Sequence, residues 1–353
     1  MPLLTTIPIQ ESSGMLEKVL DFPSQIAQSR YVTRYNTVPL EGLREVNKIV
    51  FLGMGGSGVL GDSISILLRN LKMPVYVCKS SVSPSFVDNK SLVIAISYSG
   101  KTWETLNALS SCLACGAKIA VITSSEELLY TCNMKNIPAI QIPQNGQARA
   151  SFGYLLVSTL YILHKAGIIA ELEHDLAEAV RVLDEIKINC TSTNSIAQTI
   201  AHEFLTTFPI IYGENNFSDA AALRWKHQIN ENAKVHCYHD VFPELLHNEV
   251  EVWNSSAHQR EYSLVLLRDQ RHEKEMGIKE KVDATKALIA ENTRVFEVWS
   301  QGESELARLL SLNYVGDFVS VYLAIAKNID AAATPNILRI KAVEVEQRGN
   351  HLI

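Results

Sequence analysis

The sequence predicts an α/β protein of two domains, each a doubly wound parallel sheet flanked by helices. Three observations carry that expectation. Short runs rich in Val, Ile and Leu alternate with longer amphipathic stretches, the pattern of a parallel sheet covered on both faces. Two of these runs, ending at Leu52 and Ile96, lead into loops of glycine and hydroxyl residues and then into helices. After a long amphipathic stretch the alternation begins again, so 353 residues hold two cores of ordinary size.

Residues 1–45 read as a polar, partly helical lead-in. Strands are expected at 48–53, 74–78, 92–97, 118–123 and 138–142, with helices at 58–71, 102–115 and 151–165. From Glu171 to Asn189, Leu172, Leu176, Val180, Leu183 and Ile186 fall on one helical face, which predicts a bridging helix. A second series follows: strand 209–213, helix 218–233, strands 235–239 and 262–267, helix 279–291, strand 294–299 and helix 303–326. It repeats the layout of the first without a residue-level repeat. The expected domains are 1–170 and 171–353. Two such domains facing each other make a crevice, and in open parallel sheets ligands sit beyond the carboxyl ends of the strands.

Composition narrows the partners. A net charge of -6, with 47% apolar and 20% charged residues, is that of a globular protein with no electrostatic footprint for nucleic acid. Residues 1–30 contain no apolar core preceded by basic residues, so no signal peptide is expected. No uninterrupted apolar run reaches the roughly 18–20 residues of a spanning helix, so no membrane partner is expected either. Six scattered cysteines suit a reducing cytoplasm, and Cys112-x-x-Cys115 falls inside a predicted helix with no second pair to complete a zinc site.

The two loops carry the chemistry. Gly55, Gly56 and Ser57 open one helix; Ser97, Ser99 and Thr102 lead into the other. Backbone amides and hydroxyls at helix starts suit a phosphate on a small molecule. Gly53-x-Gly55-x-x-Gly58 also satisfies the dinucleotide fingerprint, but the following strand ends in Lys79 and Ser80 rather than an acid. Lys79 suits a 2′-phosphate, so an NADP oxidoreductase stays open. Gly100-Lys101-Thr102 looks like the end of a Walker A loop, yet Ala95 stands where its first glycine belongs.

The second half holds a dense polar stretch. Glu231 sits between Asn230 and Asn232, and asparagine is a poor helix former that bonds locally. His247 lies in a segment begun by Pro243 and flanked by acids and Asn248. Taken singly, a solvated helix end and a packing histidine are the ordinary readings of these residues. Arg149 and Lys341, taken singly, read as surface cations. His236-x-x-His239 has no completing ligand at familiar spacing, so no metal is expected.

In order along the chain stand Gly53-Met-Gly-Gly-Ser-Gly58, Ser97-Tyr-Ser-Gly-Lys-Thr-Trp-Glu-Thr105, Ala148-Arg-Ala-Ser-Phe-Gly-Tyr-Leu155, Asn230-Glu-Asn-Ala-Lys234, Pro243-Glu-Leu-Leu-His-Asn-Glu249 and Thr334-Pro335…Lys341. This set, spanning about residues 45–341, resembles the bifunctional phosphoglucose/phosphomannose isomerases of the sugar-isomerase (SIS) superfamily. The resemblance implies two SIS domains, with the phosphate loops in the first and the reacting acid and histidine in the second. It implies interconversion of glucose 6-phosphate and mannose 6-phosphate with fructose 6-phosphate.

In that scheme Gly55, Gly56, Ser57, Ser97, Ser99 and Thr102 hold the phosphate, and Arg149 stabilises the enediolate. Glu231 moves the proton between C1 and C2. His247 and Lys341 assist ring opening, with His247 reaching in from the partner of a homodimer and the C-terminal segment packing back over the cleft. Thr334 takes the position of a small polar residue that leaves room for both C2 epimers. Two departures from the family pattern stand out: Ala148-Arg149-Ala-Ser-Phe where relatives more often have Pro-Arg-Ala-Ala-Leu, and an alanine run at 331–333. Neither removes a reacting group. No step needs a hydride carrier or a Lewis acid, so no cofactor is implied.

The hydroxyl loops are also shared with non-catalytic sugar-phosphate sensors, which stay open as an alternative. Such sensors usually attach a DNA-reading helix-turn-helix, for which the short N-terminus and acidic balance leave little room.

Overall fold

The computed structural model describes residues 13–35, 40–254 and 261–348. The first half contains α1 (Met15–Leu20), α2 (Phe22–Tyr35), β1 (Lys48–Leu52), α3 (Gly56–Leu67), β2 (Val75–Cys78) and β3 (Ser91–Ile96). It continues with α4 (Trp103–Ala114), β4 (Lys118–Thr123), α5 (Glu126–Met134), β5 (Ala139–Gln141), α6 (Phe152–Lys165) and α7 (Glu173–Thr191). The second half contains α8 (Ile196–Glu203), β6 (Phe208–Glu214), α9 (Asp219–Gln228), β7 (Tyr238–Phe242) and β8 (Tyr262–Arg268). Then come α10 (Gln270–Met276), α11 (Lys279–Ala290), β9 (Arg294–Trp299), α12 (Glu305–Ala326) and α13 (Pro335–Arg348).

The described residues of Met1–Leu20 and Ala177–Ala333 form one compact unit; those of Asp21–Leu176 and Thr334–Ile353 form the other. The division differs from a single cut near residue 170 at both ends of the chain. At the N-terminal end the cause is apolar burial: Met15, Leu16 and Val19 of α1 are buried, and α1 packs on α12. The change of unit falls at Leu176, inside the first turn of α7, the helix expected to bridge the halves.

The unit containing β1 has one parallel sheet in the order β2-β1-β3-β4-β5. Every residue of β3 is buried, as the unbroken apolar run Leu92–Ile96 requires of a strand covered on both faces. Val50, Leu52, Val93 and Ala95 join Leu106 and Leu109 of α4 in its core. The other unit repeats the arrangement with four parallel strands, β7-β6-β8-β9. Its central helix is α12, buried almost throughout. That helix is long and apolar enough to cross a membrane by length and composition, but 89% of its most apolar window is buried inside the unit. A search for an unbroken apolar run passes over it because Asn313 and Asp317 interrupt the run.

The first five strands lie within one residue of their expected bounds at each end. The strand expected at 235–239 instead spans Tyr238–Phe242. The helix before it stops at Gln228 and passes through a turn of π-helix, Ile229–Ala233, into a left-handed Lys234. Asn230 then donates to the Val235 carbonyl at 2.6 Å, which fixes that residue before pairing begins.

Candidate active site

Because β1 and β3 are parallel neighbours with Leu52 opposite Ala95, the loops that follow them leave the same edge of the sheet. Gly55 precedes α3 with φ 53° and ψ -126°, a conformation that side chains other than glycine's rarely adopt. Ser57 is buried in the first turn of α3. At the end of β3 the Ser97 hydroxyl is buried and has no hydrogen-bond partner among the described residues. A buried polar atom left unpaired is costly and needs a reason. Three residues downstream of Ser99, Thr102 starts α4 without capping it, its hydroxyl 3.4 Å from that of Ser99. These hydroxyls share one edge, and those of Ser97 and Thr102 are not spent on the local backbone.

Arg149 belongs to the same unit and is buried in a short turn, Ala148–Ala150, just before α6. Its backbone lies against the glycine loop so closely that a Cβ on Gly56 would come within 3.1 Å of the Arg149 nitrogen. Two further ties hold the turn. The Asn145 amide donates to the Tyr98 hydroxyl at 2.5 Å, and the Asn145 side chain donates to the Ala150 carbonyl at 3.2 Å. Gln25 of α2 donates to that carbonyl as well, at 2.8 Å. The arginine is thereby fixed to both loops, through Gly56 on one side and through Tyr98, next to Ser97, on the other. Sequence reasoning missed Tyr98, Asn145 and Gln25; the only local signal was the Gln144-Asn145-Gly146 turn.

Glu231 lies in the other unit, half-buried in the π-turn. Such turns are rare and cluster at functional sites. The asparagines that flank it are both engaged: Asn230 on Val235, and the fully buried Asn232 on the Ser320 hydroxyl of α12 at 2.9 Å. The Lys234 ammonium donates to the carbonyls of Glu231 (2.7 Å), Asn232 (3.3 Å) and Asp330 (2.9 Å). Asn-Glu-Asn-Ala-Lys is therefore a scaffold that holds one carboxylate on an otherwise unfavourable turn.

His247 is exposed and ends a short turn, Glu244–His247, that follows β7. Glu231 precedes β7 and His247 follows it. About 13 Å of strand therefore separates the two positions, at roughly 3.3 Å per residue. Thr334 immediately precedes α13, its carbonyl accepting from the Leu338 amide at 3.1 Å; Lys341 lies further along the same helix and is exposed. Both belong with the unit that carries the hydroxyl loops. Lys79, the residue that would favour a 2′-phosphate, is paired with Asp62 of α3.

The fold and this hydroxyl edge define a SIS protein. A family model described as SIS domain matches residues 42–129, and one described as bacterial phospho-glucose isomerase C-terminal SIS domain matches residues 193–343. The fold also aligns with a hypothetical protein of Thermus thermophilus, at a TM-score of 0.72 and 18% identity over 97% of this chain and 92% of that one. More particularly, the chain is 35% identical to the bifunctional phosphoglucose/phosphomannose isomerase of Caldicellulosiruptor bescii, over 94% of this chain and all of that one. It is 34% identical to the enzyme of the same name from Aquifex aeolicus, over 83% of this chain and 89% of that one. The chain belongs to the bifunctional phosphoglucose/phosphomannose isomerase family.

Proposed function

We propose that this protein interconverts glucose 6-phosphate and mannose 6-phosphate with fructose 6-phosphate through a cis-enediol. The observation that supports it best is the buried, unpartnered Ser97 hydroxyl on an edge where the Gly56 loop is in backbone contact with Arg149. A phosphate there satisfies Ser97 and draws on Ser57, Ser99 and Thr102, and the Arg149 guanidinium supplies the fixed cation that a developing oxyanion requires. Glu231 is the base that carries the proton between C1 and C2. Binding the phosphate holds those carbons still for the transfer. His247 and Lys341 move the ring-opening proton between O5 and O1, and Thr334 shapes the pocket for both C2 epimers.

The strand between Glu231 and His247 supports a homodimer in which each copy lends its His247 to the other. Purified protein mixed with each aldose phosphate, with fructose 6-phosphate read by a coupled assay, tests the proposal. Turnover of both sugars is expected. Absence of turnover with either one across neutral and mildly alkaline pH overturns it.

A further inference from the structure

We infer that Glu249 is a positioning residue for His247, resting on the isomerase reading above: its carboxylate ties the turn that carries the imidazole to the central strand of the sheet. Tyr212, on β6, is 1% exposed, and its hydroxyl donates to Glu249 Oε1 at 3.0 Å. The same hydroxyl accepts from Trp253 Nε1 at 3.0 Å. Tyr238 of the neighbouring β7 donates instead to Asp240 at 3.2 Å, which leaves Tyr212 as the hydroxyl that holds Glu249. Two residues before His247, the Leu245 side chain is completely buried in the core beside Tyr212 and Trp253. Between the anchors, Asn248 accepts from the Glu249 amide at 2.5 Å and donates to Glu244 at 3.2 Å.

His247 is thus bracketed at two residues before and two after by groups fixed to the sheet, while its own ring stays exposed. A surface loop with no task for its histidine has little use for a Trp253–Tyr212–Glu249 relay that runs from the core to its base. An acid–base group does need one, since a displacement of about 1 Å costs on the order of a hundredfold in rate.

A double-mutant cycle on the full-length protein tests the inference, with kcat for glucose 6-phosphate as the readout. Glu249→Ala is expected to lower kcat by roughly 10- to 100-fold, as expected for a misplaced acid–base group, while KM changes little. Glu249→Gln still accepts from Tyr212 and should return to near wild-type turnover. In a His247→Ala background, Glu249→Ala should cost less than about threefold, because the residue it positions is gone. Wild-type turnover in Glu249→Ala, or an equal loss in both backgrounds, overturns the inference. Should Glu249→Ala fail to fold, Tyr212→Phe keeps the ring packing and carries the same cycle. An inactive wild type defeats the isomerase reading itself, whereas an active wild type with an additive cycle defeats this inference alone.

Discussion

The two sheets end differently, although their strands are ordered alike. Beyond β1 and β3 lie uncharged hydroxyls, and that of Ser97 has no partner among the described residues. Beyond β6 and β8 the corresponding edge is closed upon itself. The Ser218 hydroxyl accepts from the Glu214 amide at 2.8 Å and donates to the Leu267 carbonyl at 2.9 Å. Arg268, at the end of β8, grips Glu273 through Nε and Nη2 at 2.6 and 2.7 Å and also reaches Glu297 and Asp283. Asp269 receives Arg308, Ser300 and the His272 amide. The same scaffold offers a ligand site where hydroxyls are left over, and a structural joint where charged and polar side chains mostly hold one another, Glu214 Oε2 and Arg308 Nε excepted.

The sharpest way to break this comparison separates reaction from binding. Glu231→Gln should lower kcat by about 10²–10⁴-fold, the range of a lost general base, while phosphosugar binding survives. Calorimetric titration with fructose 6-phosphate checks the second half. On the closed edge, Arg268→Ala leaves Glu273 buried without its cation. Urea unfolding should show a loss of about 3–5 kcal/mol with KM unchanged.

The paired serines sharpen the contrast. Ser218→Ala strands partners in the core and should cost about 1–3 kcal/mol of stability without touching KM. Ser97→Ala should leave stability within about 0.5 kcal/mol of wild type and raise KM by about tenfold or more. Equal behaviour of the two variants would erase the distinction between the edges.

A further test concerns pH. Burial, reinforced by the neighbouring Glu273, pushes the Glu214 carboxyl up to about 9. A raised carboxyl stabilises the fold at acid pH, and that contribution drains away as pH climbs from the ordinary carboxylate range through about 9. Melting curves between about pH 6 and 10 should therefore fall less steeply for Glu214→Gln than for wild type. Parallel curves would place Glu214 outside the titration.

The open edge was legible in the sequence because its groups lie in two short loops, each directly after an apolar β-branched strand. The ties that seat Arg149 were not, since Tyr98 and Asn145 stand 47 residues apart. Helices α5, α8 and α10 were not legible either. For α10, Gln270–Met276, the reason is physical: it is polar nearly throughout, capped by Asp269, and what it buries is His272 and Glu273. No apolar periodicity announces such a helix. The π-turn beneath Glu231 hid inside an otherwise regular helical pattern, and it displaced β7 by three residues. Family resemblance reached Glu231 and His247 where residue patterns alone did not.

Isotope exchange reaches the central claim most directly. Fructose 6-phosphate incubated in deuterium oxide with the wild-type protein should yield glucose and mannose 6-phosphates carrying deuterium at C2, visible by proton NMR, and Glu231→Gln should abolish the label. Products still free of C2 deuterium after repeated interconversion, long enough for the carboxyl proton to exchange with solvent, or labelling that persists in the variant, would contradict a proton transfer run by this carboxylate.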